Sequence, residues 1–158
     1  MEFKLLNADD AEDISSYLHD MWVDTYAPIV MGGRQRAEQI FPDWAGPDRV
    51  RKDMEAGFFF AFAMVDGEPV GLVSAGKTDE GLWISKLYVA PGHRGSGYGS
   101  QCFDHIIDYG RKNGCICARL EVNPRNETAI SFYEHHGMRI VGKKFYEDRY
   151  TALMEMEL

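Results

Sequence analysis

The spacing of apolar residues near the start of the chain predicts a short strand followed by a helix. Residues 3–6 form a short, mostly apolar segment that is typical of a strand. Asp9 and Asp10 come next, and they can cap a helix and supply carboxylates to its first turn. Apolar residues then recur three and four positions apart, as on one face of a helix, at Ile14, Tyr17, Leu18, Met21 and Trp22.

After this helix, glycines and prolines interrupt the periodic pattern. They predict loops around a short helix at 34–40, which ends before Pro42. Pro47 is placed to begin a further helix, and Gly57 is placed to end it. The region between the first helix and the next apolar run is therefore expected to be irregular with helical segments.

Two apolar runs then predict a β-hairpin. Residues 58–65 and 69–75 flank Asp66-Gly67, which is a common two-residue hairpin turn. A further strand is predicted at 82–89. Its apolar residues fall at even positions in its first half and at odd positions in its second half. Because side chains alternate between the faces of a strand, this change predicts a β-bulge near Ser85-Lys86.

The second half of the chain alternates helices with strands. A glycine-rich segment precedes a helix with one apolar face, at Cys102, Phe103, Ile106, Ile107 and Gly110. A strand at 116–122, a helix at 127–136 and strands at 139–142 and 149–157 complete the pattern. The chain shows no internal repeat and no linker. A length of 158 residues therefore predicts one mixed α/β domain over residues 1–158.

Composition and charge exclude several classes of protein. The chain has 17 Lys and Arg against 25 Asp and Glu, a net charge of -8, and no basic run, so general nucleic-acid binding is not expected. The longest apolar run, 58–65, is far shorter than the roughly 20 residues of a membrane helix, and the first residues lack a secretory signal. Three cysteines cannot all pair within one chain, which favours the cytoplasm. Cys115 and Cys117 offer too few ligands for a metal site.

The segment Arg94-Gly95-Ser96-Gly97-Tyr98-Gly99 points to binding of a phosphate or a diphosphate. Its glycines allow successive amide N–H groups to point into one concavity, and the following helix adds the positive end of its dipole. The amides from Gly95 to Ser100 would bind the anion, with Arg94 as a fixed positive charge. The glycine spacing differs from the dinucleotide-binding fingerprint, and no lysine follows Gly99 as in a P-loop. A glycine-rich turn without a ligand is the alternative.

A second motif lies about 30 residues further on. A strand is followed by Asn-x-x-Ala-x-x-Phe-Tyr-Glu-x-x-Gly, which runs from Asn126 to Gly137. Preceded by Leu87-Tyr88-Val89-Ala90-Pro91 and the glycine segment, this motif resembles the hallmark of the GCN5-related N-acetyltransferases. The resemblance covers residues 82–142, and before them only the order of elements agrees. Met138 stands where the family usually has an aromatic residue.

The resemblance implies an α/β (α+β) fold and acetyl-CoA as the cosubstrate, with no metal. The fold is a mixed, mostly antiparallel sheet of about seven strands flanked by about four helices, with a β-bulge in the fourth strand. The pantetheine arm is expected to pair with the backbone of Leu87 and Val89, with Tyr88 between them. The diphosphate is expected on the glycine turn. Asn126 is expected beside the pantetheine, and it is equally suited to cap the following helix.

The resemblance also implies direct transfer of an acetyl group to an amine. Tyr133 matches a tyrosine near the thioester sulfur, where a phenol can protonate the departing thiolate, and a core tyrosine is the alternative. Glu121 is the candidate base, since Leu-Glu-Val resembles protein N-terminal acetyltransferases, and an exposed carboxylate is the alternative. At pH 7 about 1 in 2,500 molecules of an amine with a pKa near 10.4 is neutral, against roughly 1 in 7 for an α-amino group. A primary alkylamine therefore gains more from a base.

The acceptor site of the family lies in the loops that follow the first helix and join the last two strands. Asp24, Tyr26 and Tyr146 are the candidates to line it, whereas Trp22 is expected to pack under the sheet. The excess of negative charge favours a cationic acceptor, so we predict a small primary amine or a polyamine and no nucleic-acid or membrane partner. The alternatives are a protein or peptide N-terminal acetyltransferase and a non-catalytic acyl-CoA-binding module. The family's frequent dimers suggest a homodimer.

Overall fold

A computed structural model, which describes residues 1–147 and 149–158, contains one seven-stranded sheet. The strands are β1 (Glu2–Leu5), β2 (Phe59–Val65), β3 (Glu68–Thr78), β4 (Gly81–Val89), β5 (Cys117–Val122), β6 (Arg139–Phe145) and β7 (Tyr150–Glu157). They lie in the order β1-β2-β3-β4-β5-β7-β6. Neighbouring strands are antiparallel except β4 and β5, which are parallel. The mixed, mostly antiparallel sheet that the sequence predicted is therefore confirmed.

In the described residues, five α-helices flank this sheet, where about four were expected. They are α1 (Ala11–Tyr26), α2 (Gly33–Ala45), α3 (Pro47–Glu55), α4 (Tyr98–Lys112) and α5 (Glu127–His135). The first three pack against one face of the sheet, and α4 and α5 pack against the other. Within the described parts of the chain, no helix combines the length and the apolar character needed to cross a bilayer.

The start of α1 differs from the sequence-based prediction. Asp9 and Asp10 were expected to cap the helix; Asp10 occupies the N-cap position of α1, but its side chain forms no cap hydrogen bond there. The side-chain cap belongs to the preceding 3-10 turn and is Asn7. Its side-chain oxygen accepts a hydrogen bond from the Asp9 N–H at 2.9 Å, and the Asp10 carboxylate accepts one from the Asn7 N–H at 2.9 Å. This reciprocal pair closes a 3-10 turn over Ala8–Asp10, which leads into α1. Further along α1, Trp22 is buried as predicted, with 5% of its surface exposed.

The prediction that a short helix ends before Pro42 was wrong, because α2 continues through this residue to Ala45. Proline inside a helix removes one backbone hydrogen bond and crowds the preceding turn, at a cost of about 3 kcal/mol. Pro42 lies on the exposed side of α2, whereas Ala37, Phe41 and Ala45 are buried in the core beneath it. Burial of this apolar stripe therefore outweighs the local preference of proline.

The hairpin between β2 and β3 forms as predicted. Asp66 has a φ of 51° and Gly67 a φ of 79°, so both central residues of the turn are left-handed. This is the geometry of the two-residue turn that matches the twist of the adjoining strands. The turn fixes how β2 pairs with β3, which in turn supports β4 at the centre of the sheet.

The predicted bulge in β4 is also confirmed. Ala75 of β3 is opposite Ile84, and the adjacent Ser74 is opposite Lys86, so Ser85 has no partner in the ladder. On its other side, β4 pairs with β5 only at Leu82 and Trp83. Beyond the bulge the two parallel strands therefore diverge, and a groove opens between them.

Gly71 allows β3 and β4 to approach closely beside this groove. A Cβ at this position would lie 2.5 Å from the backbone oxygen of Tyr88, so the strands would have to move apart. We predict that Gly71→Ala lowers the free energy of unfolding by about 2 kcal/mol, measured by urea denaturation. Gly92→Ala is the control, because its Cβ would meet no atom within 4 Å and the stability should stay unchanged. Equal stability of both variants would contradict the prediction.

Candidate active site

The groove between β4 and β5 has a volume of about 740 Å³. Its walls are the bulged half of β4, the glycine-rich turn, the ends of α1 and β5, the first turn of α4 and the first two turns of α5. Of the residues that the sequence predicted for the site, all but Ser96 and Tyr146 line this groove. Ser96 is exposed on the glycine turn, and Tyr146 contacts Glu121, which itself lines the groove.

The glycine turn is suited to bind an anion. Gly95 and Gly97 have φ values of 83° and 81°, a conformation that favours glycine, and a Cβ on either would meet no atom within 4 Å. The helix α4 begins at Tyr98, and the amides of a first helical turn have no acceptor within the helix. Arg94 donates from Nε to the Val89 carbonyl at 2.9 Å, which fixes its guanidinium group beside the turn. Amide donors, helix dipole and guanidinium therefore favour a phosphate group here.

The bulged strand β4 presents unpaired backbone groups to the groove. The Ala90 N–H donates to Val70 on β3, and successive residues of a strand direct their backbone groups to opposite sides. The backbone groups of Val89 and Leu87 therefore point away from β3 and toward the groove. The Val89 carbonyl is already used by Arg94, so Leu87 carries the acceptor that remains for an extended ligand on this strand.

Three tyrosines meet in the groove. Tyr26 comes from the end of α1, Tyr88 from β4 and Tyr133 from α5. Burial is the main cause that raises the pKa of each phenol, and the proximity of Tyr26 raises the pKa of Tyr133 and of Tyr88 further. All three hydroxyl groups therefore keep their protons at neutral pH and can act as hydrogen-bond or proton donors.

Glu121 faces the same groove from β5. Its Oε1 accepts two hydrogen bonds, from the Tyr146 hydroxyl at 2.6 Å and from the Thr151 hydroxyl at 2.7 Å. Neither donor uses Oε2. The carboxylate is held in one orientation by β7 and by the connection between β6 and β7, although it is only partly buried. Burial and this hydrogen bond raise the pKa of Tyr146, which keeps it a donor to Glu121.

The predicted acceptor residues have further partners that the sequence did not reveal. The Arg149 guanidinium lies 4.5 Å from the centre of the Tyr146 ring and 5.5 Å from that of Trp44, so it joins α2 to the connection between β6 and β7. Asp24 forms an ion pair with Arg34 at 2.9 Å. Its negative charge is thus already paired, and Glu121 is the carboxylate better placed for a cation in the groove.

Asn126 caps α5, as predicted, and its position beside a pantetheine arm stays a prediction. Its side-chain oxygen accepts a hydrogen bond from the Ala129 N–H at 3.3 Å and so caps α5. The same residue lines the groove, where its amide nitrogen is available to a ligand. The preceding Arg125 donates to the carbonyl groups of Ile29 at 2.6 Å and Pro28 at 3.5 Å, which ties the loop after α1 to this turn.

Residues whose positions depend on tertiary contacts were not predicted from the sequence. Thr151 reaches Glu121 because β7 pairs with β5, and His136 reaches Ser100 because α5 packs beside α4. Helical periodicity places His136 one turn after Phe132, which is the only local signal for its position.

Comparisons with known proteins agree with this geometry. The model of the acetyltransferase (GNAT) family matches residues 15–138. A streptothricin acetyltransferase of Streptomyces lavendulae is 34% identical over 110 residues, 66% of this chain and 58% of that protein. The crystal structure of PaiA N-acetyltransferase from Thermoplasma acidophilum in complex with coenzyme A has a TM-score of 0.82 at 18% identity, covering 100% of both chains. A nourseothricin acetyltransferase has a TM-score of 0.56 at 27% identity, covering 63% of this chain and 64% of that one.

The chain spans less than two thirds of the length of the first curated relatives that it matches, from 39% to 63%. The family match, by contrast, extends over most of the chain, from the first helix to the residue after the second sequence motif. The chain therefore belongs to the acetyltransferase (GNAT) family.

Proposed function

We propose that this chain is an N-acetyltransferase that moves the acetyl group of acetyl-CoA directly to the primary amine of a small, cationic acceptor. One observation carries the proposal: a single groove is lined by an anion-binding turn and also by a phenol and a carboxylate. The turn suits a diphosphate, and the phenol and carboxylate suit proton transfers during acyl transfer. The PaiA structure, bound to coenzyme A, supports the choice of cosubstrate.

In this proposal the cosubstrate lies along β4. Its diphosphate accepts hydrogen bonds from the amides between Gly95 and Ser100, and Arg94 supplies a positive charge beside them. Its pantetheine arm pairs with the groove-facing backbone of Leu87, as an added strand would. The Asn126 amide lies on the opposite wall of the groove and can donate to the same arm.

The proposed reaction needs one proton donor and one proton acceptor. Glu121 takes a proton from the acceptor's ammonium group, and the free amine forms a bond to the thioester carbonyl carbon. As the carbon–sulfur bond breaks, Tyr133 donates its hydroxyl proton to the departing thiolate. The products are the acetylated amine and the thiol of coenzyme A. The nitrogen loses two protons in all: one restores the hydroxyl group of Tyr133, and the other is released to solvent.

Several features support a cationic acceptor. Glu121 presents its Oε2 without the two donors that occupy Oε1, and the aromatic rings of Tyr26 and Tyr88 can contact a cation. The net charge of -8 attracts cations to the protein as a whole. The name of the Streptomyces lavendulae relative points to a small-molecule acceptor for that protein.

A screen with acetyl-CoA tests the proposal. Thiol release is measured with polyamines, diamines, streptothricin-type antibiotics, amino acids and peptides with free N-termini. We expect turnover with one of the small primary amines. Turnover confined to peptides would favour an N-terminal acetyltransferase. Binding of coenzyme A by calorimetry without transfer to any amine would show a binding module and would overturn the proposal.

Glu121→Gln should lower kcat/KM at pH 7 by at least about tenfold for an acceptor whose amine has a pKa near 10.4. The loss should be smaller for an acceptor amine with a pKa near 7.8, because a larger fraction of it is already neutral. The measurement is the ratio of kcat/KM values for wild type and variant across such a series. Glu134→Gln, an exposed carboxylate on α5, is the matched control and should leave the rates unchanged. An equal loss for all acceptors would assign Glu121 a role other than proton removal.

A further inference from the structure

His136, which directly follows α5, contacts Ser100 beside the anion-binding turn. Its Nε2 lies 2.9 Å from the hydroxyl oxygen of Ser100 in the first turn of α4. Its Nδ1 lies 2.8 Å from the Phe132 carbonyl oxygen. The ring packs against Phe132 and Phe103, with centroids 4.3 and 5.0 Å away. Both nitrogens of the imidazole therefore have partners, and two phenyl rings hold the ring in place.

These contacts determine where the protons lie. A carbonyl oxygen can only accept, so Nδ1 carries a hydrogen. In the neutral imidazole Nε2 is then an acceptor, and it takes the hydrogen bond of the Ser100 hydroxyl. In the protonated imidazole Nε2 also carries a hydrogen and donates it to the Ser100 oxygen, which releases the hydroxyl hydrogen for another acceptor.

Ser100 is a residue of the groove wall at the anion-binding turn. When the imidazole is neutral, the single hydroxyl hydrogen of Ser100 is used by His136, and only oxygen lone pairs face the groove. A phosphate oxygen beside them would be repelled. When the imidazole is protonated, the Ser100 hydroxyl can donate to the phosphate, and the positive charge of His136 lies next to that hydroxyl. The affinity of the turn for a phosphate group should therefore be higher when His136 is protonated than when it is neutral.

We propose that His136 is a positioning residue that couples diphosphate binding at Ser100 to uptake of one proton. The inference rests on the proposed function, because it takes the diphosphate of coenzyme A as the anion at this turn. Imidazole is the side chain that ordinarily changes charge between pH 5 and 8. Among the described residues, the rings that face it are Phe103 from α4 and Phe132 and His135 from its own helix, and of these only His135, 5.5 Å away, can titrate.

The test is the affinity for 3′-dephospho-CoA at pH 6, 7 and 8 by isothermal titration calorimetry. This probe keeps the diphosphate and lacks the phosphate monoester of coenzyme A, which would itself titrate near pH 6. We expect the dissociation constant of the wild type to rise about tenfold from pH 6 to pH 8, within the limit of tenfold per pH unit for one proton. Titrations in buffers of different ionisation enthalpy should show uptake of up to one proton.

Three variants distinguish coupling from a structural role. His136→Gln can still donate to Ser100 but cannot titrate, so its dissociation constant should not depend on pH. Ser100→Ala should bind more weakly and show a smaller dependence, because only the charge of the imidazolium remains, and it carries the test if His136→Gln does not fold. His135→Gln is the matched control and should keep the wild-type dependence, since its ring does not contact Ser100.

The outcomes separate this inference from the proposed function. Binding with a dissociation constant that is independent of pH in the wild type, or a dependence that persists in His136→Gln, would overturn the role of His136 and leave the acetyltransferase proposal intact. Failure of both coenzyme A and 3′-dephospho-CoA to bind at every pH would overturn both.

Discussion

Tyr133→Phe should lower kcat for acetyl transfer by at least about 100-fold, the usual contribution of a positioned proton donor. The variant keeps the ring, which packs against Phe103 and Phe132, and removes only the hydroxyl group. The leaving thiolate then loses the phenol that would protonate it. Steady-state kinetics with saturating acceptor measure the effect, and the KM for acetyl-CoA should change little because binding uses the turn and β4.

The pH dependence of the same reaction provides a second check. Burial raises the pKa of Tyr133 above its ordinary value of 10.0, so the protonated phenol, which is the active form, persists into alkaline solution. Between pH 7 and pH 9.5 the wild-type kcat should therefore show no loss from ionisation of this group. Tyr109→Phe is the matched control, because Tyr109 packs on Phe59 away from the groove. An unchanged kcat in Tyr133→Phe would remove this phenol from the mechanism.

Lys86→Met should raise the free energy of unfolding at pH 7 by about 3 kcal/mol. Lys86 follows the bulge in β4, is 7% exposed, and donates to the Ser85 hydroxyl at 3.2 Å. Burial lowers the pKa of Lys86 to about 8, although the nearby Asp53 opposes this change. Keeping the ammonium charged inside the folded protein is therefore costly, and methionine fills a similar volume without a charge.

The pH dependence of this effect has a definite sign. The folded pKa of Lys86 lies below that of an unfolded lysine, so between about pH 8 and pH 10.4 the unfolded chain binds more protons and stability rises with pH. Urea denaturation should show this rise in the wild type and its loss in Lys86→Met. Lys52→Met, at an exposed position on α3, should change stability little. Destabilisation by Lys86→Met would mean that the contacts of the ammonium outweigh its burial.

Local signals account for the features of the fold that the sequence predicted well. The turn at Asp66-Gly67 and the bulge at Ser85 depend on side chains that are adjacent in sequence, and both formed where expected. Pro42 shows the opposite case. Its local preference predicted the end of a helix, but the burial of residues on the other side of α2 decided the result. Such burial depends on α1 and the sheet, which the local pattern does not contain.

The residues of the candidate site also fall into those that local motifs predicted and those whose contacts depend on the tertiary structure. Motif spacing placed the glycine turn, Asn126 and Tyr133, and all of them line one groove. The sequence could not show that Tyr146 and Thr151 both donate to Glu121, because these residues are 25 and 30 positions away and meet only through the pairing of β5 with β7. The pairing of Asp24 with Arg34 likewise depends on the angle at which α2 leaves the loop after α1.

The short parallel contact between β4 and β5 has a consequence for the integrity of the protein. Only Leu82 and Trp83 of β4 pair with β5. The sheet therefore consists of two halves, β1 to β4 and β5 to β7, with a wedge-shaped gap between them beyond these two residues. A molecule held in the wedge touches both halves and binds only while they are assembled. By mass action, a ligand at 100 times its dissociation constant adds about 2.7 kcal/mol to the cost of unfolding. A thioester bound in the wedge would thus stabilise the folded sheet as well as act as a reactant. Its depletion would make the region between β4 and β5 more susceptible to proteolysis.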